Sequence, residues 1–249
     1  MRIVTLNTWK NEGEYERRLA LMADGLLDLE PDVVCLQECF VGAGRDTAQV
    51  LAEAIGLEHH ARPSRAKSRS HDGGMVQSTS GLAMLSRRPA FAEDALALPS
   101  LVQDGDRIAQ RLDVMVDGQF LRVLNLHLTH LRGAGADEVR GRQLRAALVW
   151  AAVGWTEGLL VAGDLNAAAG DPELATLNVG SNVDFATLIG ARSDTPPILA
   201  RAIDHLVLQE PGSWRVASRF RALDMPDSDG WHASDHAAVV LDLEPDYSR

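Results

Sequence analysis

Residues 113–116 and 121–126 are two short runs rich in Val, Leu and Met, and Asp117-Gly118 stands between them. An Asp-Gly pair in that setting is a hairpin turn, because both central residues of a tight primed turn need a positive φ. A hairpin pairs its strands antiparallel, so the chain cannot fold as an all-parallel, doubly wound sheet.

The rest of the chain alternates short apolar runs with helical stretches. Residues 2–8 read as a strand ending at Asn7-Thr8-Trp9. Residues 14–29 read as an amphipathic helix with Leu19, Met22, Leu26 and Leu29 on one face, stopped by Pro31-Asp32. The continuous apolar run 33–36 predicts a strand buried on both faces, ending at Gln37-Glu38. A second helix is predicted over 46–55, closed by Gly56, and a third over 138–152. Residues 62–80, rich in Ser, Gly and basic side chains, read as a long loop before a short strand at 82–85. The strand 159–162 feeds Gly163-Asp164-Leu165-Asn166, and late strands are predicted at 203–208 and 237–243. Many strands with few helices predict an α/β fold of two packed mixed or antiparallel sheets flanked by helices, a four-layer sandwich, as a single domain over 1–249.

The chain has 249 residues, 46% of them hydrophobic, enough for one sizeable core. Its net charge of −11 argues against a protein that coats nucleic acid. A nuclease stays open, since an acidic, metal-holding site can meet a polyanion through a local basic patch. Cys35 and Cys39 are four apart; in a regular strand both face the same way, too far apart to bond. Two packed thiols in a reducing compartment are expected. With no leader sequence and no membrane-spanning stretch, a cytoplasmic enzyme without stable membrane anchoring is expected.

Polar residues suited to chemistry stand where apolar runs stop or start: Asn7, Glu38, His127, Asp164, Asn166, Asp204 and His236. The rim of a rigid sheet is where catalytic groups gather. Glu38, Asp164, Asn166 and Asp235 carry the hard oxygens that suit Mg²⁺, whereas no zinc motif is present. Adjacent side chains diverge, so Asp235 orients His236 poorly, and the remote Asp204 is the better partner.

Taken in order, Asn7, Leu36-Gln37-Glu38, Asn125-Leu126-His127, Gly163-Asp164-Leu165-Asn166, Ile203-Asp204-His205 and Ser234-Asp235-His236 resemble the endonuclease/exonuclease/phosphatase superfamily. Its members include pancreatic-type deoxyribonucleases, apurinic endonucleases and neutral sphingomyelinases. The resemblance spans essentially the whole chain. It implies a divalent-metal-dependent hydrolase of phosphate esters that uses Mg²⁺, or Mn²⁺, and in-line attack of an activated water. Glu38 would be the principal metal ligand, with Asn7 and Asp235 on the metal side. Asp164 would orient or deprotonate the attacking water, and Asn166 would hold the water or the phosphate. His127 would contact phosphate. Asp204 would pair with His236, which would contact the scissile group, the general base being Asp164 or His236.

Two departures stand out. Trp9 occupies the place where apurinic endonucleases carry an extra acidic ligand, and His205 follows Asp204 where many relatives carry an aromatic residue. Asp72 is the one carboxylate offered as a partner for His127.

Residues 62–71 hold Arg62, Arg65, Lys67 and Arg69 without an acidic residue, and read either as a substrate-facing loop or as a solvated one. Arg111 either reaches the rim or lies on the strand surface. Arg132 and Arg140 reach a substrate or are solvated. Trp231 stacks on a ligand or packs beneath the site, and Trp150 and Trp155 read as core. A small-molecule or lipid-headgroup phosphate ester is the favoured substrate, with a nucleic acid as the alternative and a catalytically silent binding relative as the third reading. Oligomeric state is left open.

Overall fold

The computed structural model describes residues 1–87, 90–116, 118–133, 135–155, 157–177, 186–194 and 201–246. Two sheets lie face to face. The first runs β11 (Trp214–Ala222), β12 (Ala238–Pro245), β1 (Arg2–Asn7), β2 (Val33–Gly42), β5 (Gly74–Ser86), β4 (Glu58–His71), with the short β3 (Arg45–Asp46) against β2. The second runs β10 (Asp204–Glu210), β9 (Gly158–Asp164), β8 (Gln119–His127), β7 (Ile108–Val116), β6 (Glu93–Ala97). Among the described residues, pairing is parallel only for β1 with β2 and for β8 with β9; the other ladders are antiparallel. The hairpin that joins β7 to β8 is present; its Asp117 lies outside the described residues.

Three apolar clusters make the layers. Ile3, Val33, Cys35 and Met84 of the first sheet meet Leu112, Leu121, Leu160 and Leu206 of the second. The helices α1 (Tyr15–Leu29) and α2 (Thr47–Ile55) cover the outer face of the first sheet through Leu19, Met22, Leu26 and Leu51. The helix α3 (Ala136–Ala152) covers the second through Leu144, Ala147 and Ala151. The order is helix, sheet, sheet, helix, as expected.

Local chemistry explains the helix ends. Asp46 caps α2 by accepting from Ala48 N and Gln49 N, and Gly56 ends it at φ 69°. Glu30 ends α1 in the left-handed region, and Pro31 prevents continuation.

Two expectations are corrected. Residues 62–80 are not a loop: β4 and β5 form a long hairpin turning at Asp72-Gly73. β4 is an edge strand with half of its residues exposed, so its polar composition hid the strand. Cys35 and Cys39 face opposite ways, Cys35 between the sheets and Cys39 toward α1 and α2. A β-bulge in β2, between Leu36 and Cys39, shifts the alternation by one. Both thiols are free and buried.

Candidate active site

β1, β8 and β9 end at the same rim where β10 and β12 begin, because β10 is antiparallel to β9 and β12 is antiparallel to β1. This brings together Asn7, His127, Asp164, Asn166, Asp204 and His236, all buried. Asp164 sits at their centre. Asn7 Nδ2 donates to Asp164 Oδ2 at 3.0 Å, across the two sheets. The Asn166 backbone N–H donates to Asp164 Oδ1 at 2.9 Å. Asn166 holds φ 53°, a conformation asparagine tolerates better than most residues, and its Nδ2 donates to Leu128 O. Gly163 is forced: a Cβ there would lie 1.9 Å from the Leu126 carbonyl oxygen.

Around Asp164 stand two imidazoles. His127 Nε2 is 3.6 Å and His236 Nε2 is 4.0 Å from Asp164 Oδ2. His236 Nδ1 is 2.8 Å from Asp204 Oδ2, the partnership expected from the sequence. Burial alone would lower the His236 pKa, but Asp204, Asp164 and Asp235 together raise it well above the ordinary value. These carboxylates favour the imidazolium form of His236, in which Nδ1–H is directed to Asp204. Burial, aided by the charges of Arg107 and Lys10, holds His127 well below the ordinary value, so its ring is neutral. Asp164 is pushed up to about 7, mainly by burial and then by Asp204. Asp204 is itself fixed by Thr187 Oγ1, which accepts from its backbone N–H.

Glu38 reaches the rim by another route. It is the extra residue of the β2 bulge, at φ 57°, so its side chain leaves the ladder. Its Oε2 lies 2.6 Å from Lys10 Nζ. Lys10 and Trp9 both hold positive φ, 48° and 55°. The buried Arg18 enforces that turn by donating to the carbonyls of Thr8, Trp9, Lys10 and Glu12. Asp235 is partly exposed, and its pKa is raised by burial and by Glu38, so the two carboxylates feel each other. Ser234 Oγ donates to Asn7 O at 2.6 Å and ties this segment to β1.

A hard divalent cation fits this donor set. Glu38 and Asp235 offer carboxylate oxygens and Asn7 an amide oxygen, and a cation, the Lys10 ammonium, already sits against Glu38. Asp164, Asp204 and His236 also lie close enough together to hold an ion. Asp204 and His236, however, are bonded to each other through their nearest atoms.

Several residues singled out from the sequence lie elsewhere, or have other partners. Arg111 is not at the rim; it stacks over Trp150 at 4.4 Å and pairs with Asp94. Trp150 and Trp155 are half-buried platforms for Arg111 and Arg122; Trp150 packs against the core under α3, as expected, and Trp155 does not belong to it. Arg69 is buried and donates to Ser78 Oγ and Ser80 Oγ. Arg140 is buried, held by Glu173, Asp137 and the carbonyls of Thr129 and Leu131, and Arg132 donates to Asn166 O. Asp72 is exposed beside His71 and is no partner for His127. His205 points to Ala167 O, 2.8 Å away, rather than into a pocket floor. Trp231 is half-buried, stacked under Arg192, and shares Gly13 with Trp9. Arg65 and Lys67 do line the cleft beside Glu38. Sequence reasoning missed Lys10, although it directly follows Asn7-Thr8-Trp9. It also missed Arg107, which donates to His127 O and carries no motif signal.

The chain belongs to the endonuclease/exonuclease/phosphatase family, whose model matches residues 4–236. Proteins of this family are generally phosphoester hydrolases and include both phosphatases and nucleases. A solved structure of an endonuclease/exonuclease/phosphatase family protein from Leptotrichia buccalis is similar at 16% identity and TM-score 0.75, covering 98% of this chain and 99% of that one. The human Nocturnin catalytic domain with bound sulfate is similar at 22% identity and TM-score 0.70, covering 98% and 94%. A mannosyl-6-phosphatase from Bacteroides thetaiotaomicron is similar at 16% identity and TM-score 0.70, covering 98% and 99%. No curated protein sequence matches significantly. Among the described residues, no helix is long and apolar enough to cross a membrane.

Proposed function

We propose that this protein hydrolyses phosphate esters with the help of a divalent cation, Mg²⁺ or Mn²⁺, and that its substrate is a small molecule or lipid headgroup. One observation carries the reading. Asp164 is held by Asn7 and Asn166 in a buried position, with a neutral His127 and an Asp204-charged His236 within 4.0 Å.

In this reading Asp164 takes a proton from the attacking water, since a carboxylate raised toward neutrality is suited to that work. His236, already protonated, donates from Nε2 to a phosphoryl oxygen and so serves as an electrostatic stabiliser rather than the base. Asp204 orients its ring. Asn166 and the neutral His127 position the phosphate or the water. Glu38, Asp235 and Asn7 hold the cation, which when bound neutralises phosphoryl charge and acidifies water. Water attacks phosphorus in line, the ester oxygen departs with the bonding pair, and no covalent enzyme intermediate forms.

A nuclease reading keeps the same centre. The mannosyl-6-phosphatase neighbour and the net charge of −11 favour the small substrate. The test is a metal-supplemented panel of aryl phosphate mono- and diesters, sphingomyelin, phosphoinositides, RNA and supercoiled DNA. Release of product from small esters, lost with chelator and weakly dependent on salt, is expected. Plasmid nicking that falls steeply with salt would replace this reading with the nuclease, and no hydrolysis of any substrate would leave a binding relative.

A further inference from the structure

Beside His127 and Glu38 lies a small cavity of about 40 Å³ lined by Lys10, Arg65 and Arg107 and by the hydroxyl residues Ser64 and Ser80. We propose that this cavity is a subsite for a second anionic group, a phosphate or carboxylate, carried by the same small substrate whose ester is cleaved at Asp164. The proposal rests on the phosphoester reading above and deepens it: the substrate is a compact molecule with two anions.

Three features of the cavity support it. Arg65 makes no hydrogen bond or ion pair among the described residues. It is the residue that a β-bulge in β4, between Ser64 and Lys67, throws out of the ladder, at φ 49°. A bulge of this kind re-aims a side chain at some cost, and strained residues of this kind cluster where ligands bind. Arg107 is buried, and its Nε–H has no acceptor among the described residues. Its two other nitrogens are engaged, Nη1 with His127 O and Nη2 with Asp104 and His130. A buried, unsatisfied guanidinium N–H is costly unless a ligand completes it. Finally, among the described residues Lys10 forms an ion pair with Glu38 alone. A divalent cation on Glu38 releases its ammonium, and Asp106 is then the remaining carboxylate on the wall. The scissile phosphate is already served by His127, His236 and Asn166, so these three cations are surplus to it. In a chain of net charge −11 they form a local anion trap.

The test compares glycerol 3-phosphate, which has one anion, with 3-phosphoglycerate and fructose 1,6-bisphosphate, which place a second anion at two distances. Orthophosphate release is followed for the wild type and for Arg65→Gln, with Arg65→Lys as the charge-conserving variant. At least one two-anion probe should show a kcat/KM tenfold or more above that of glycerol 3-phosphate. Arg65→Gln should erase most of that preference through KM, and Arg65→Lys should restore part of it. Equal rates on all probes, an equal loss on all probes in Arg65→Gln, or a preference for short oligonucleotides would overturn the proposal.

Calorimetric titration of metal-free Glu38→Gln protein, in which Lys10 is released without a cation, with inorganic pyrophosphate separates the two readings. If no probe is cleaved but pyrophosphate binds this protein, and at least fivefold more weakly once Arg65→Gln is added, the subsite stands and the hydrolase reading falls. If pyrophosphate does not bind, the subsite falls whatever the activity. Circular dichroism confirms that each variant is folded.

Discussion

Replacing Gly163 by Ala tests the packing and the site together. In β9 the backbone of residue 163 runs against Leu126 of β8, the two being register partners. The added methyl would stand 1.9 Å from Leu126 O and 3.0 Å from Leu126 N. Cβ atoms essentially never come within 3.0 Å of a non-bonded heavy atom, so the overlap is more than about 1 Å. The obstacle is backbone near the end of a parallel ladder, with β10 paired on the other side, so no side chain can swing away. Two costs add. Alanine at φ 129° contributes about 1–2 kcal/mol of backbone strain. Forcing the ladder open contributes a further ~1–3 kcal/mol, the usual range for overpacking.

The proper comparator is Gly44→Ala. Gly44 also has a positive φ, 74°, but a Cβ there meets nothing within 4 Å, so it carries the strain alone. Urea unfolding should therefore put Gly163→Ala about 2 kcal/mol or more below Gly44→Ala, a further fall in Tm of roughly 4–8 °C for a chain of this size. Because Asp164 follows directly, esterase activity should fall in Gly163→Ala and stay unchanged in Gly44→Ala. Equal stability of the two variants would refute the argument that Leu126 dictates this glycine.

Asp164→Ala and His236→Ala should each lower the rate on an activated aryl phosphate by about 10²–10⁴-fold at saturating metal, with unchanged far-ultraviolet dichroism; full activity in either removes the site assignment. Glu38→Gln should weaken Mn²⁺ binding in calorimetry by tenfold or more, while Asp72→Asn, on the exposed hairpin tip, should bind as the wild type does. The raised His236 pKa stabilises the metal-free fold fully below the unfolded histidine value of about 6.5, and that contribution is lost as pH rises through the folded value. In Asp204→Asn, chelator-treated, this slope of stability with pH above about 6.5 should flatten, as read from urea midpoints across the range. Asp113→Ala should leave Arg122 buried without its ion partner and cost about 3–5 kcal/mol, far from the rim, with activity per folded molecule retained.

The elements legible in the sequence are those buried on both faces. β1, β2, β8, β9 and β12 are continuous apolar runs because helices or the other sheet cover each side. The strands that escaped reading, β4, β6 and β11, are edges, where solvent replaces one neighbour and polar residues are tolerated. Basic residues such as Arg215, Arg219 and Arg221 on β11 blunt such an edge without leaving a hydrophobic period to detect. At the site, residues at strand ends were legible because the apolar run stops there: Asn7, His127 and Asp164. Lys10 and Arg107 were not, because their positions are set by contacts with the buried Arg18 and Asp104 that follow no motif or period. Arg111 misled for the opposite reason: its charge was visible, but the side of the strand it occupies depends on the register with β6.

Gly81 joins the two bulges. It pairs with Cys39 of β2 on one side and Pro63 of β4 on the other, at the level where Glu38 and Arg65 leave their ladders. A methyl at Gly81 would lie 2.2 Å from Arg62 O. Cys39 joins Val34 and Leu36 on the helical side only because one residue before it is uncounted. Deleting Glu38 would therefore mend the ladder, make the sheet more regular, and leave Cys39 opposite Gly81 and facing the helices as it does now. The same deletion would remove the acid from the rim. The irregularity serves the rim and not the core: a gap at this position in a relative would mark a protein that kept the outer core of its first sheet and gave up only the carboxylate.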